Sequence, residues 1–206
     1  RDGQFCYRVG DEQETFAADR LQLKGTHNLH NVMAAIAVSR LCGCGRESVQ
    51  RTIDHFKTLH HRLEFVLEHK GIRFYNDSKA TNVGSVVSAL ESMPPPLILI
   101  AGGKDKGGDY DPLIPLLREK VKALVLIGEA REKMREVLKD ATTVILADNL
   151  EDAFNRSVRE AASAGDTVLL SPACSSFDMF ASYEQRGDAF SALVHRFAGT
   201  HEGGNA

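Results

Sequence analysis

LILIAGG, residues 97–103, is an unbroken apolar run that ends in two glycines. A short run of this kind is typical of a strand whose two faces are both buried, as in a parallel sheet. Similar runs follow at ALVLIG (123–128) and TVLLS (167–171), and amphipathic helical patterns separate them. This alternation predicts an α/β fold with an open, mostly parallel sheet and helices on both faces.

The region before the sheet has a different pattern. Residues 4–20 predict a β-hairpin, because two extended segments flank a turn at Gly10-Asp11-Glu12. NLHNVMAAIAVSRL (28–41) predicts a buried helix, since it is rich in alanine and strongly apolar on one face, and ESVQRTIDHFKTL (47–59) predicts a more polar helix. A second hairpin is expected around Lys70-Gly71, where the sheet begins.

The composition is that of an ordinary globular protein. The 206 residues are 43% hydrophobic and 26% charged, with a formal net charge of -3. A slightly acidic chain without a basic stripe offers no electrostatic footprint for nucleic acid. No apolar run approaches the roughly 20 residues that span a bilayer. We therefore expect a cytoplasmic protein that binds neither nucleic acid nor membrane.

The four cysteines indicate neither a disulfide framework nor a metal site. They are few and irregularly spaced, which favours reduced thiols. Cys42-Gly43-Cys44 lacks a second pair of cysteines or histidines at zinc spacing, so we expect no metal ligands in this chain. Cys174 is expected to be a small packed residue rather than a nucleophile, because no His and Asp partners can be placed beside it.

Polar loops follow three of the predicted strands. NDSKATN (76–82), AGGKDKGGD (101–109) and SPACSSFD (171–178) each come at the end of a strand. Ligands of open parallel sheets bind at the carboxyl ends of the strands, where such loops meet. The sequence therefore predicts a binding site formed by these three loops at one rim of the sheet.

The residues of these loops suit an anionic ligand. Lys104 and Lys106 lie among glycines that let the backbone approach a ligand, although a solvated charged turn is an equal alternative. The dinucleotide pattern G-x-G-x-x-G is absent, which argues against an NAD-dependent dehydrogenase. Thr81 or Asn82 is expected to cap a helix. Ser175-Ser176 are expected at a helix start, where backbone N–H groups hold anions.

DSKATN, GG-x-DKG-x-D and SPAC-x-SFD-x-F…YEQRG occur together in one family. The chain resembles the cytoplasmic Mur ligases of peptidoglycan synthesis, and within them the members that add D-glutamate to UDP-N-acetylmuramoyl-L-alanine. GTHNLHNVMAAIAV and HHRLE fit the same pattern, so the resemblance covers about residues 21–198. The open alternatives are another Mur ligase, a ligase of the folylpolyglutamate synthase type, and a chain that is only a binding module.

The resemblance implies part of a three-domain enzyme. Residues 1–59 resemble the last part of the central ATP-binding domain, and residues 60–199 resemble the whole C-terminal amino-acid-binding domain. Residues 200–206 are expected to be a disordered tail. The chain begins with Arg1 and contains no G-x-x-x-x-G-K-[ST] loop, which the missing part of the central domain would supply. We expect this chain alone to bind D-glutamate and part of ATP without turnover.

The implied reaction forms an amide through an acyl phosphate. ATP phosphorylates the L-alanine carboxylate of UDP-N-acetylmuramoyl-L-alanine, and the amine of D-glutamate then attacks the acyl phosphate. Mg2+ is the implied cofactor, with its ligands in the missing part of the central domain. The implied enzyme is a cytoplasmic monomer that serves cell-wall biogenesis, and through it cell shape and cell division.

Two sets of residues would make the implied contacts. The set expected to contact the nucleotide is Asn28, Asn31, Arg62, Asp77 and Lys79. The set expected to hold D-glutamate is Thr81, Lys106, Ser176, Phe177 and Tyr183, the last at a position where the family pattern has phenylalanine. Lys79 and Lys106 are also the expected catalytic residues, since phosphoryl transfer depends on positioned positive charge.

Overall fold

The structure is a computed structural model, and it divides into two compact units. The first unit is Arg1–Thr58 and the second is Leu59–Ala206. The structure describes residues 3–21, 26–56, 59–161 and 165–199. The predicted tail at 200–206 lies outside the described residues. No helix within the described ranges is long and apolar enough to cross a membrane.

The first unit consists of a hairpin and two helices, as predicted. Strands β1 (Gln4–Val9) and β2 (Glu12–Ala17) pair antiparallel around a two-residue turn. Helix α1 spans Thr26–Leu41 and helix α2 spans Arg46–His55. The buried core of this unit contains the side chains of Phe5, Phe16, Ile36, Val49 and Ile53.

The prediction that helix α1 is buried is wrong for most of its surface. Among residues 28–41 only Ile36 is buried, whereas Val38 is 60% and Leu41 71% exposed. The apolar residues of α1 lie around most of its circumference. One hairpin and one ten-residue helix cover only one side of such a cylinder.

The second unit contains a six-stranded sheet with the order β3-β4-β8-β5-β6-β7. β3 and β4 form the expected antiparallel hairpin, and every other neighbouring pair is parallel. This arrangement confirms the predicted α/β fold with a mostly parallel sheet. The strands are β3 (Glu64–His69), β4 (Ile72–Asn76), β5 (Leu97–Gly102), β6 (Val121–Ile127), β7 (Thr143–Leu146) and β8 (Thr167–Leu170).

Helices cover both faces of this sheet. The first face packs against α3 (Val83–Ser92), α4 (Ile114–Lys120) and α5 (Arg131–Leu138), with a short 3₁₀ turn before α4. The second face packs against α6 (Leu150–Glu160) and α7 (Tyr183–Gly199). In β5, Leu97, Leu99 and Ala101 belong to the first core, while Ile98 and Ile100 belong to the second. The unbroken apolar run therefore reflects burial on both sides of the strand.

The position of β8 decides where the polar loops meet. β8 lies between β4 and β5, and all three strands run in parallel. Their carboxyl ends therefore lie side by side at one edge of the sheet. The expectation that the three polar loops share one rim is confirmed.

Candidate functional site

The rim consists of three loops joined by backbone hydrogen bonds. They are the DSK loop (residues 77–82), the glycine loop (102–109) and the SPAC loop (171–178). The SPAC loop lies in the middle and bonds to both neighbours: the Ala173 amide donates to the Ala80 carbonyl at 2.9 Å, and the Lys104 amide donates to the Ser175 carbonyl at 2.9 Å. The three loops are thus a single connected surface.

Two glycines allow the glycine loop to approach its neighbours. Gly102 and Gly103 both have positive φ, at 107° and 136°. A Cβ at Gly103 would lie 2.3 Å from the Ser175 carbonyl oxygen, and one at Gly102 would lie 2.1 Å from the Ile127 carbonyl oxygen. Any side chain at these positions would force the backbones apart, so glycine is required for the contact itself.

Arg186 contacts the rim from the interior of the second unit, and the sequence did not identify it as a residue of the site. This arginine on α7 is fully buried, and its Nε and Nη2 donate to the Oγ and the carbonyl oxygen of Ser78 at 2.9 and 2.8 Å. Its Nη1 donates to the carbonyl oxygen of Cys174 at 3.2 Å. Burial lowers the pKa of Arg186 to about 10, which leaves it charged at neutral pH. One side chain therefore holds the DSK and SPAC loops together.

Asp77 is a buried carboxylate at the start of the DSK loop. Its two oxygens accept hydrogen bonds from the Leu63 amide at 3.1 Å and from the Ser171 hydroxyl at 2.8 Å. Burial raises the pKa of Asp77 to about 6, and the hydrogen bonds from Ser171 and Leu63 oppose part of that rise. Asp77 thereby fixes the backbone next to Arg62, which is half-buried.

The segment that carries Arg62 is fixed on either side. His61 and Leu63 both have positive φ, at 61° and 43°. The His61 carbonyl oxygen accepts from the backbone amide of Lys79 at 3.0 Å. The buried ring of His61 accepts at Nδ1 from the side-chain amide of Asn76 at 3.0 Å. Backbone strained in this way persists only where the surrounding contacts hold it in place. The HHRLE pattern pointed to this segment, but the packing of its histidine had no sequence signal.

Lys79 and Tyr183 are brought together at the rim. The Lys79 ammonium lies 5.7 Å from the centroid of the Tyr183 ring, within the range of a cation–π contact. Ser78 Oγ donates to the Tyr183 carbonyl oxygen at 2.8 Å, which ties the start of α7 to the DSK loop. Thr81 is half-buried in the same loop. Asn82, the other candidate cap, is the N-cap of α3 and accepts from the Ser85 amide.

Ser176, Phe177 and Lys106 lie on the two loops that the Lys104–Ser175 bonds join. Ser176 is buried, with 1% of its surface exposed. Phe177 is 66% exposed, which is unusual for a large apolar side chain, and Lys106 is exposed. A serine on a loop that is bonded to a loop with two exposed lysines is a local arrangement suited to a carboxylate.

The expectation that Ser175-Ser176 begin a helix is wrong. A single helical turn follows Ser176, whose carbonyl accepts from the amides of Met179 and Phe180, and α7 begins only at Tyr183. The Ser182 hydroxyl accepts from the Gln185 amide, and the Gln185 side chain accepts from the Ala181 amide. This reciprocal capping places the helix start several residues after the SPAC loop.

Asn28 and Asn31 lie in the first unit, on α1. Asn28 is half-buried and Asn31 is exposed. Asn31 borders a cavity of ≈ 330 Å³ between α1 and α2 whose lining is mostly apolar.

Cys174 is a packed residue, as expected. It is buried in the SPAC loop, and burial raises the pKa of its thiol. Its sulfur contacts the Tyr110 hydroxyl at 3.3 Å. All four cysteines are free. Within the described ranges no three His, Cys, Asp or Glu side chains gather into a metal-binding group.

A mostly parallel sheet with a polar rim at the carboxyl ends of its strands defines the second unit as a Rossmann-like ligand-binding domain. The family "Mur ligase, glutamate ligase domain" matches residues 61–174, more than half of the chain. The chain belongs to this family, which confirms the resemblance read from the motifs.

Two similar curated proteins carry the same name. A UDP-N-acetylmuramoylalanine–D-glutamate ligase of Geotalea uraniireducens is 50% identical over 194 residues, which are 94% of this chain and 43% of that protein. A protein of the same name from Syntrophus aciditrophicus is 46% identical over 96% of this chain and 44% of its own length. The chain thus spans less than half the length of these curated relatives.

Solved structures share the fold at low sequence identity. A folylpolyglutamate synthase of Mycobacterium tuberculosis matches with a TM-score of 0.69 and 15% identity, over 93% of this chain and 48% of that one. MurF of Acinetobacter baumannii matches with a TM-score of 0.70 and 15% identity, over 94% and 42%. These likenesses support the α/β architecture alone.

Proposed function

We propose that the full-length protein is a cytoplasmic, ATP-dependent amide ligase that adds D-glutamate to UDP-N-acetylmuramoyl-L-alanine. The names of the relatives at 46–50% identity support this activity. The rim of the second unit would be the D-glutamate site. The observation that carries this assignment is the position of Ser176, which is 1% exposed and lies on a loop bonded to the lysine-bearing glycine loop.

The D-glutamate site would use charge and hydrogen bonds from all three loops. Lys106 would supply the positive charge for a carboxylate of the amino acid, and the Ser176 hydroxyl would donate to it. Thr81 would contribute a second hydroxyl. Phe177 and Tyr183 would form aromatic walls, since an exposed ring beside a polar rim gains area when a ligand covers it.

The nucleotide would contact the other end of the rim. Lys79 and Arg62 carry the positive charge that phosphate oxygens require, and Asp77 fixes the backbone beside Arg62. Asn28 and Asn31 of the first unit complete the proposed set. Mg2+ would neutralise phosphate charge when bound, but the described ranges contain no group of three His, Cys, Asp or Glu side chains that could hold it. Its ligands are expected in the part of the relatives' length that this chain does not span.

The chain's own contribution to the reaction would be positioning. The L-alanine carboxylate is converted to an acyl phosphate, the D-glutamate amine attacks its carbonyl carbon, and phosphate leaves as the amide forms. Fixing the amine beside the acyl carbon makes this step effectively intramolecular. Lys79 and Lys106 would stabilise charge that develops on the phosphoryl group and hold the attacking amino acid.

Substitution of Ser176 in the full-length protein tests the assignment. Ser176→Ala removes a hydroxyl that would bind only the amino acid, so the KM for D-glutamate should rise about tenfold while the KM for ATP stays within about twofold. Ser175→Ala is the matched control, because the Ser175 hydroxyl already faces the Lys104 carbonyl at 3.4 Å. Equal increases in both KM values for Ser176→Ala would refute the assignment.

A further inference from the structure

Asp105 lies between the two lysines of the glycine loop but has a different environment. Lys104 and Lys106 are exposed, whereas the Asp105 carboxylate is bonded within the second unit. It accepts from the Lys133 ammonium of α5 at 2.8 Å and from the Gly107 amide at 3.0 Å. The carboxylate therefore closes the loop on itself and also ties it to a helix.

A buried tyrosine extends this contact to the SPAC loop. The Tyr110 hydroxyl donates to Asp105 at 3.0 Å and contacts the Cys174 sulfur at 3.3 Å. Tyr110 is 2% exposed, and burial raises its pKa, so the hydroxyl keeps its proton. The carboxylate is the stronger acceptor for that proton. The order Lys133–Asp105–Tyr110–Cys174 is thus one continuous chain of contacts, named here the loop latch.

The loop latch holds a segment that has little stiffness of its own. Glycine loses more conformational freedom on ordering than any other residue, and four of the eight residues from 102 to 109 are glycines. A ligand that had to order this loop would bind more weakly by the cost of that ordering. Asp105 bonds this loop to itself, to α5 and to Tyr110, so these contacts fix the loop that carries Lys106.

Lys133 also controls the charge at the rim. The Lys133 ammonium beside Asp105 holds the pKa of that carboxyl below its usual range, with help from Tyr110 and Gly107. The pair is neutral overall. Without Lys133, an uncompensated carboxylate would stand one residue from Lys106 and repel an incoming dicarboxylate.

We infer that Asp105 and its partner Lys133 are positioning residues for amino-acid binding, which act by holding the glycine loop and Lys106 in the geometry that receives D-glutamate. This inference rests on the proposed function. It assigns the loop latch a role in D-glutamate affinity and none in nucleotide affinity, because the latch contacts join the glycine loop to α5 and to the SPAC loop rather than to the DSK loop.

The test uses the full-length enzyme and measures the KM for D-glutamate and for ATP separately. Asp105→Ala and Lys133→Ala should each raise the KM for D-glutamate about tenfold, with the KM for ATP changed by less than about twofold. Lys133→Arg keeps the charge and should restore most of the affinity. Lys139→Ala is the matched control, since Lys139 lies at the end of α5 and pairs with Glu136 on the same helix rather than with the glycine loop.

The possible results distinguish failure of this inference from failure of the proposed function. A D-glutamate KM for Lys133→Ala that equals that of Lys139→Ala overturns the inference, and so do equal rises in the two KM values. Lys133 is 46% exposed, so its substitution is compatible with folding even if Asp105→Ala is not. Failure of the unsubstituted enzyme to use D-glutamate overturns the proposed function and, with it, this inference. Activity of the unsubstituted enzyme with D-glutamate shows that failure without any variant.

Discussion

The guanidinium of Arg186 donates to the carbonyl oxygen of Ser78 at 2.8 Å across 108 residues of sequence. Two further bonds from the same group reach Ser78 Oγ and the Cys174 carbonyl. Among the described residues no carboxylate forms an ion pair with it. A buried cation is costly to place unless its donors are satisfied, and removing this one would leave the loop oxygens that it joins without their donor.

Substitution of Arg186 should destabilise the second unit strongly. Arg186→Ala leaves two buried carbonyl oxygens without donors and should lower the free energy of unfolding by about 3 kcal/mol, while Arg186→Lys, with one ammonium, should lose less. Urea denaturation of this chain measures both. Arg156→Ala is the control: this arginine pairs only with Asp152 one helical turn away and should cost about 0.5 kcal/mol. A loss for Arg186→Ala no larger than that of the control would contradict the account.

Substitution of Gly187 by alanine should change stability in the opposite direction from the one that helix propensity predicts. Alanine normally stabilises a helix interior by about 1 kcal/mol relative to glycine. A Cβ at Gly187 would lie 2.2 Å from Nδ1 of His61, whose ring is buried. Gly187→Ala should therefore lower the unfolding midpoint. Gly84→Ala in α3, where the nearest atom is 3.5 Å away, should leave the midpoint unchanged or raise it. A stabilised Gly187→Ala would show that the His61 packing is wrong.

The raised pKa of Asp77 makes its contribution to stability depend on pH. The folded-state value of about 6 lies above the ordinary 3.8, so the folded protein binds the proton more tightly. Stability from this group is complete below pH 4 and is lost as the pH rises through 6. Asp77→Asn does not titrate. The free energy of unfolding of this variant, relative to the unsubstituted chain, should therefore increase by about 2 kcal/mol between pH 4.5 and pH 8.

The contrast with Asp152 controls for general effects of pH. The hydrogen bond from Arg156 lowers the pKa of Asp152, so stability from this carboxylate is present above the ordinary pKa and is lost as the pH falls. Asp152→Asn should therefore be at the same disadvantage at pH 8 and at pH 4.5, and should recover only below the ordinary pKa of 3.8. Unfolding curves at pH 4.5 and pH 8 thus separate the two variants, because the relative stability of Asp77→Asn changes between these values and that of Asp152→Asn does not. An equal change for both variants would contradict the assigned environments.

Much of the rim could be predicted from the sequence because apolar runs mark buried strands and the residues after them mark their ends. LILIAGG and TVLLS located β5 and β8 in this way. Strand order was not predictable, since no local pattern tells that β8 lies between β4 and β5. That order brings Ser78, Cys174 and Arg186 together, although their mutual contacts leave no trace in spacing.

The burial of Arg186 could not be predicted from the residues next to it in the sequence. Arg186 follows Glu184 and Gln185 at the start of α7, and a run of polar residues there normally faces solvent. Ser176 was placed at a helix start for a related reason, because Ser-Ser before an apolar pattern resembles a cap. In the structure, reciprocal capping by Ser182 and Gln185 places the start of the helix at Tyr183 instead. Tertiary contacts thus decided the burial of Arg186, whereas local capping decided the start of α7.

Amino-acid selectivity of the full-length protein tests the central claim most directly. ADP release would be measured with UDP-N-acetylmuramoyl-L-alanine, ATP and either D-glutamate, L-glutamate or another amino acid. The account predicts turnover with D-glutamate at least about 100-fold faster than with L-glutamate, since a site of fixed hydrogen-bond donors distinguishes the two mirror-image ligands. This chain alone, supplied with the same substrates, should release no ADP. Preference for L-glutamate or for a different amino acid would contradict the account.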